Sequence, residues 1–179
     1  MERCAWAGSA PEYVAYHDEE WGTPLHGDDA LFERLSLEAF QSGLSWITIL
    51  RKRENFRTAF DDFHVATVAA YDDNDVRRLL ADAGIVRNRA KIDATVSNAR
   101  AALEVPGGLD RLLWSFAPDE PRQRPSSLVD VPATSPASTA LAKELKRFGF
   151  RFVGPTTAYA LMQATGMVDD HVATCWRAA

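Results

Sequence analysis

Between Ser135 and Gly166 the sequence punctuates its own backbone. Ser135 precedes Pro136 and Gly154 precedes Pro155. Each pair sets a cap before a proline at the first helical position, where a missing N–H costs nothing. Leu141, Leu145 and Phe148 follow the first pair at helical spacing. Gly149 stops that helix, Phe150-Arg-Phe-Val153 crosses over, and the second helix is expected to run to Gly166. The pattern predicts a helix, a hairpin held between two glycines, and a helix, over about 136–166. Glycines there let backbone N–H groups face outward at a helix N-terminus, which suits a phosphate. Lys143, Lys146, Arg147 and Arg151 lie beside it. A helical hairpin with no ligand carries the same punctuation. Coincidence with the basic residues tips the reading toward a DNA backbone.

The rest of the chain reads as helices too. Pro11 opens a short helix to about Glu20, and Asp28 to Phe40 shows Leu31, Phe32, Leu35 and Ala39 on one face. Further helices are expected over 45–60, 65–71, 75–83 (capped by Asp72 or Asp73 and stopped by Gly84), 87–103 and 107–115. The span 117–136, rich in Pro, Ser and charge, predicts an irregular connection. With no repeats and little strand signal, the class is all-α. The 179 residues suit one domain, with room for a small lobe. At 46% hydrophobic and 25% charged residues the composition is that of an ordinary soluble protein. No apolar run is long enough for a bilayer and no leader follows Met1, so no membrane contact and a cytoplasmic location are the default expectations. Two cysteines make no disulfide framework. A net charge of −5 argues against a general nucleic-acid coat but leaves room for a local basic face.

Glu38 to Phe56, EAFQSGLSWITILRKRENF, packs unlike chemistry into a short span. It holds one carboxylate, Glu38, and one large ring, Trp46. Gln41-Ser-Gly-Leu-Ser45 reads as a break between helices, with Gly43 a poor helix residue and Ser45 a good N-cap. Arg51, Lys52 and Arg53 follow. A pocket beside a phosphate-binding surface would look like this. So would a helix packing its apolar face above a solvated basic tail, and periodicity alone favours that plainer reading.

The two ends carry the remaining signals. Cys4, Trp6, Tyr13, Tyr16, His17 and Trp21 crowd the first stretch, and Tyr13, Tyr16 and His17 share one helical face. Rings with polar tips each want a partner when buried. Near the other end, His171 and Cys175 are four apart, so on a helix they share a face and form half of a zinc site. Cys4 and His17 are the obvious other half. They lie at the opposite end of the chain without a zinc-finger spacing, and spacing alone leaves two unrelated cysteines as the simpler reading. His26 and His64 read as surface residues.

Taken together, ERCAW (2–6), YHDEEWG (16–22), GLSWITILRKREN (43–55), DAGIVRNRAKI (82–92), LLWSF (112–116), GFRFVGPTTAYALMQATG (149–166) and VDDHVATC (168–175) resemble the 3-methyladenine DNA glycosylase I family of bacteria. The resemblance covers nearly the whole chain. It implies an all-α helix-hairpin-helix glycosylase fold over 1–179, with a terminal lobe from 1–21 and 168–179. One structural zinc would tie the lobe through Cys4, His17, His171 and Cys175. Four protein ligands leave no open position, so such a metal staples and does not react.

The resemblance further implies a monomer that excises 3-methyladenine from double-stranded alkylated DNA and releases it as the free base. Glu38 would accept hydrogen bonds from the base. Tyr16 and Trp46 would be the principal pocket residues, with Trp6, Tyr13 and Trp21 as supporting walls. The turn carrying Gln41, Gly43 and Leu44 would probe the gap in the duplex, and the backbone around Gly149 and Gly154 would grip phosphate. No lysine matches the superfamily's Schiff-base nucleophile, which implies excision without strand cleavage. The related enzymes typically place Asn where this chain has Asp169, so Asp169 is either a stabiliser of the reacting sugar or, the favoured reading, a cap for the last helix. Three rivals stand beside this reading: a non-catalytic zinc-stapled DNA-binding domain, a metal-dependent hydrolase, and a glycosylase for another cationic purine.

Overall fold

The computed structural model describes residues 2–120 and 123–178. Met1, Ala179 and two positions of the 117–136 connection therefore lie outside the described residues. Nine α-helices are present among them: α1 Pro11–Glu19, α2 Asp28–Gln41, α3 Trp46–Ala59, α4 Val65–Ala69, α5 Asp73–Ala81, α6 Arg89–Leu103, α7 Gly108–Trp114, α8 Pro136–Arg147 and α9 Pro155–Ala164. Short 3-10 turns cover Ala5–Ala7, Asp61–Phe63, Leu128–Asp130 and Trp176–Ala178. No strand occurs among the described residues, as the all-α expectation requires.

α2 is the axis. It contacts α3, α6, α7 and α9. Leu31, Phe32, Leu35, Leu37 and Phe40 on it are completely buried. Burying such side chains contributes about 1.5–3 kcal/mol each. The apolar stripe expected from sequence is real, but the helix is enclosed on more than that stripe, and Arg34, Ser36 and Glu38 are buried with it. That enclosure puts a carboxylate inside the protein. The main core continues through Phe56, Phe60 and Phe63 to α6 and α9. A second cluster joins the ends, packing Cys4, Tyr16 and Trp21 against Ala164, Val172 and Cys175. Backbone closes the same seam: Trp176 N–H donates to the Glu2 carbonyl at 2.9 Å.

Local details differ from the sequence expectations in instructive ways. Ser45 precedes α3 but makes no cap; its hydroxyl meets that of Thr48 at 2.8 Å. α5 starts at Asp73 because Asp72 accepts from the N–H groups of Asn74 and Asp75. Gly84 is no left-handed stop. The chain leaves α5 at Asp82, whose carboxylate accepts from Gly84 N–H at 2.7 Å. α6 begins at Arg89, capped by Asn88. Ser135 does cap α8 through Ser138 N–H, with Pro136 in the first turn.

The largest departure is at the C-terminal end. His171 to Cys175 is not helical, so no helix face is shared and Asp169 has no helix to cap. The Asp169 carboxylate instead accepts from His171 N–H at 3.1 Å and contacts His171 Nδ1 at 2.8 Å. A capping side chain does its usual local work, but it closes a turn and fixes an imidazole.

Candidate active site and metal centre

A cavity of about 290 Å³ opens where α1, α2, α3 and α9 meet. Its walls are Trp6, Tyr13, Tyr16, Trp21 and Trp46, with Glu38 and Gln41 from α2. All five rings expected from sequence are thus brought to one place. Tyr16 and Trp46 face each other at 5.4 Å with planes tilted by 51°. Trp6 meets Trp21 at 5.0 Å edge-on and Tyr13 at 5.9 Å. The Tyr13 hydroxyl also accepts from Ile47 N–H at 3.0 Å, which ties α1 to the first turn of α3. Such edge-to-face packing holds each ring in position.

Glu38 is only 6% exposed. Burial pushes its carboxyl up to about 7, and the Arg34 guanidinium is the charge that opposes this rise. Burial also holds the Tyr16 phenol far above its ordinary range, so it stays neutral. Pocket members beyond the sequence candidates are Leu128, Val131, Ala160, Gln163 and Asp170. Asp170 accepts from the Tyr159 hydroxyl at 2.6 Å and from Gln163 Nε2 at 2.9 Å. Sequence reasoning weighed Asp169 for a role at the sugar; the structure puts its neighbour in the pocket instead. Asp169 pairs with Arg124 at 2.8 Å on the other side. Nothing in the sequence separates two adjacent aspartates by direction once the helix expected after them is absent.

The break after α2 is a tight turn, with Leu44 N–H donating to the Gln41 carbonyl at 2.6 Å. Leu44 is 41% exposed, while Gln41 lines the cavity. Gly43 lies between them with φ 80°. The turn is braced from beneath by Lys91, whose Nζ donates to the Phe40 carbonyl at 2.8 Å and the Ser42 carbonyl at 2.6 Å. Lys91 stands in the first turn of α6. It is turned inward because α2 ends there with carbonyls to satisfy.

The α8–α9 hairpin keeps only part of its expected glycine logic. Gly149 sits at φ 92° and closes α8, with Phe150 N–H donating to the Leu145 carbonyl at 3.0 Å. Gly154 precedes α9 in ordinary extended backbone, φ −87°; the other left-handed residue of this hairpin is Phe152, φ 58°. Arg151 N–H is turned inward to Asn98 Oδ1 at 2.8 Å, and Asn98 Nδ2 returns a bond to the Arg151 carbonyl at 3.0 Å. Asn98 thus locks the hairpin to α6, a partner that sequence could not name.

Behind the aromatic wall, the two ends of the chain bring Cys4, His17 and Cys175 together, with their ligand atoms within 4.8 Å of one another. Cys175 Sγ is 3.4 Å from His17 Nε2. His171 stands beside this trio, its ring 5.1 Å from that of His17. Its Nε2 is buried without a hydrogen-bond partner. Each imidazole has its Nδ1 on a carboxylate, His17 on Asp18 and His171 on Asp169, both at 2.8 Å. That contact fixes the ring and leaves Nε2 as the free ligand atom. Without a cation, burial pushes the Cys4 thiol up to about 11. Two buried thiols and two oriented imidazoles are the donor set that a tetrahedral zinc takes, so the residues fit the group.

A model of the methyladenine glycosylase family matches residues 6–178. DNA-3-methyladenine glycosylase 1 of Escherichia coli (strain K12) is 48% identical over 179 residues, 98% of this chain and 96% of that one. The DNA-3-methyladenine glycosylase of Haemophilus influenzae is 43% identical over 177 residues, 97% of this chain and 96% of that one. Among solved structures, 3-methyladenine DNA glycosylase I from Staphylococcus aureus, described for its recognition of 3-methyladenine, aligns with a TM-score of 0.94. It is 36% identical and covers 100% of this chain and 97% of that one.

Proposed function

This chain belongs to the methyladenine glycosylase family, an enzyme family, and we propose that it releases 3-methyladenine from alkylated double-stranded DNA by hydrolysis, without cutting the strand. The observation that carries this reading is Glu38: a buried carboxylate at the floor of a cavity walled by five aromatic rings. A 3-methylated adenine in DNA is cationic and already a good leaving group. Recognition therefore matters more than acid catalysis. The base is rotated out of the stack into the pocket. Aromatic faces attract its positive charge, and Glu38 accepts hydrogen bonds from its edge. Water adds to C1′ and the glycosidic bond breaks. The bonding pair neutralises the departing base, and one proton of the water goes to solvent. A carboxylate nearby also favours the positive charge that grows on the sugar.

Features of the geometry support the other roles. Leu44, exposed on the braced turn, enters the gap that the flipped base leaves, while Gln41 and Gly43 line its edge. The helix-hairpin-helix of α8 and α9 binds the DNA backbone around Gly149 and Gly154, which positions the enzyme without reading sequence. No lysine is among the residues lining the described cavity, which supports hydrolysis over a Schiff base. Cys4, His17, His171 and Cys175 would hold one zinc ion. When bound, that ion supplies a cross-link between the chain ends, and all four positions of a tetrahedron are then protein ligands. No helix among the described residues is long and apolar enough to cross a membrane. We place the protein in the cytoplasm as a monomer, where bacterial DNA is.

The test is incubation with methylated duplex DNA, followed by separation of the freed bases and the strands. Release of 3-methyladenine with intact strands is the expected result. Release of a different methylated purine in its place would move the substrate. A folded, metal-loaded protein that frees no base would leave a DNA-binding module.

A further inference from the structure

Arg34 lies one helical turn before Glu38 on α2, and residues four apart on a helix are neighbours. Its side chain is 8% exposed. It does not line the cavity; it stands behind the wall, its guanidinium carbon 5.2 Å from the centre of the Tyr16 ring. Nη2 donates to Glu20 at 2.9 Å. Glu20 is also gripped by both ends of Arg53, at 2.7 and 2.8 Å. Two guanidiniums share one carboxylate, so one positive charge is left over in a buried place. Arg34 Nη1 is buried without a hydrogen-bond partner. A buried charge without full compensation is costly, and an arginine cannot shed its proton.

Glu38 is the remaining anion within reach of this excess charge. The other ionisable groups beside Glu38 are Tyr16, and Tyr13 and Asp170 around the cavity. None of them is a cation. Left to burial alone, Glu38 would take up a proton, and a neutral acid offers a cationic base little.

We propose that Arg34 is a positioning residue that keeps a substantial share of Glu38 ionised at neutral pH before the base arrives, and so lets the pocket select a cationic purine over its neutral parent. The inference rests on the reading of Glu38 given above. Its sign is set by the geometry. Arg34 is screened from the cavity by Tyr16 and partly neutralised by Glu20, so its repulsion of the incoming base is weaker than the attraction of the carboxylate it maintains.

The experiment follows the Glu38 carboxyl carbon by NMR in the full chain labelled at glutamate, with Glu38→Gln to assign the signal. In the parent protein the midpoint is expected near 7. Arg34→Met, or Arg34→Gln where the first variant folds poorly, should move it up by about one pH unit or more, and Arg34→Lys should restore most of it. Glu20→Gln should move it the other way, because Arg34 then has no second carboxylate to share. The acid limb of base release should shift with the midpoint, so that Arg34→Met loses more activity at pH 6 than at pH 8. A midpoint indifferent to both Arg34 and Glu20 overturns the inference alone. A midpoint that responds, in a protein whose Glu38→Gln variant releases base at the parent rate, removes Glu38 from recognition and the inference with it.

Discussion

Gly22 sits so close to His171 that a Cβ on it would stand 2.7 Å from His171 Cε1. Its φ of 76° is also one that other residues adopt only with strain. Two independent requirements therefore fix glycine here, and the close approach leaves room for the imidazole. Gly22→Ala should cost about 1–2 kcal/mol from backbone strain alone and displace His171 from the cysteines. Zinc content measured by atomic absorption should fall below one ion per chain, with a lower melting temperature. A variant that keeps a full complement of zinc and the parent melting point would remove His171 from the metal site.

The Cys4 thiol, pushed up to about 11 by burial, is a poor anion until a cation neutralises it. On the proposed zinc reading, Cys4→Ser removes one of four ligands and should leave an incomplete site at the seam between the chain ends. Melting should fall by roughly 10 °C, at about 2–4 °C for each kcal/mol lost in a chain of this size. Chelation of the parent protein should reproduce the fall. Base release per folded molecule should change little below the new melting point, since Cys4, His17, His171 and Cys175 are not among the residues lining the cavity. A chelated protein that stays folded but loses all activity would overturn the purely structural role.

Much of this was legible in advance. Helix existence followed from periodicity and caps, and the family resemblance named five rings and Glu38, which line one cavity. What stayed hidden were side chains whose partners are remote in sequence. Asn98 meets Arg151, Lys91 meets Phe40 and Ser42, and Arg34 reaches α1 and α3 through Glu20. The enclosure of α2 was also hidden, because its apolar stripe describes one face and says nothing of what covers the others. The end of the chain failed differently. Helical spacing from His171 to Cys175 looked like a helix face, yet Asp169 turned the backbone into a bend that serves the imidazole directly.

Lys91 offers a test of the turn apart from the pocket. Its ammonium holds two carbonyls of the α2 terminus, and burial lowers its pKa from the ordinary lysine value. Lys91→Met keeps the stem and removes the donors, at a cost of about 1–3 kcal/mol for carbonyls left unpaired. The turn bearing Leu44 should loosen. Affinity for an abasic duplex should drop about tenfold, the equivalent of roughly 1.4 kcal/mol, while affinity for the free base stays within a factor of about two. Equal losses for both ligands would show that Lys91 supports the fold and not the turn.

Glu38 links recognition to stability with opposite signs. Its folded pKa of about 7 lies above the ordinary carboxylate value of 4.5. A raised folded value means the native state holds the proton more tightly than the unfolded chain does. The associated stability is complete below pH 4.5 and is lost as pH rises through about 7. Above that, an ionised and buried Glu38 costs the fold about 3 kcal/mol, at about 1.4 kcal/mol for each unit of pKa. Glu38→Gln should therefore be more stable than the parent at pH 8, with the advantage fading toward pH 5, in urea melts at both values. The same variant should excise the base more slowly, because a neutral amide does not attract the cationic base in DNA, and should bind free 3-methyladenine more weakly, because an amide oxygen is a poorer acceptor than a carboxylate. A Glu38→Gln protein no more stable at pH 8 than the parent, and equally active, would show that the carboxylate is neither strained by burial nor used.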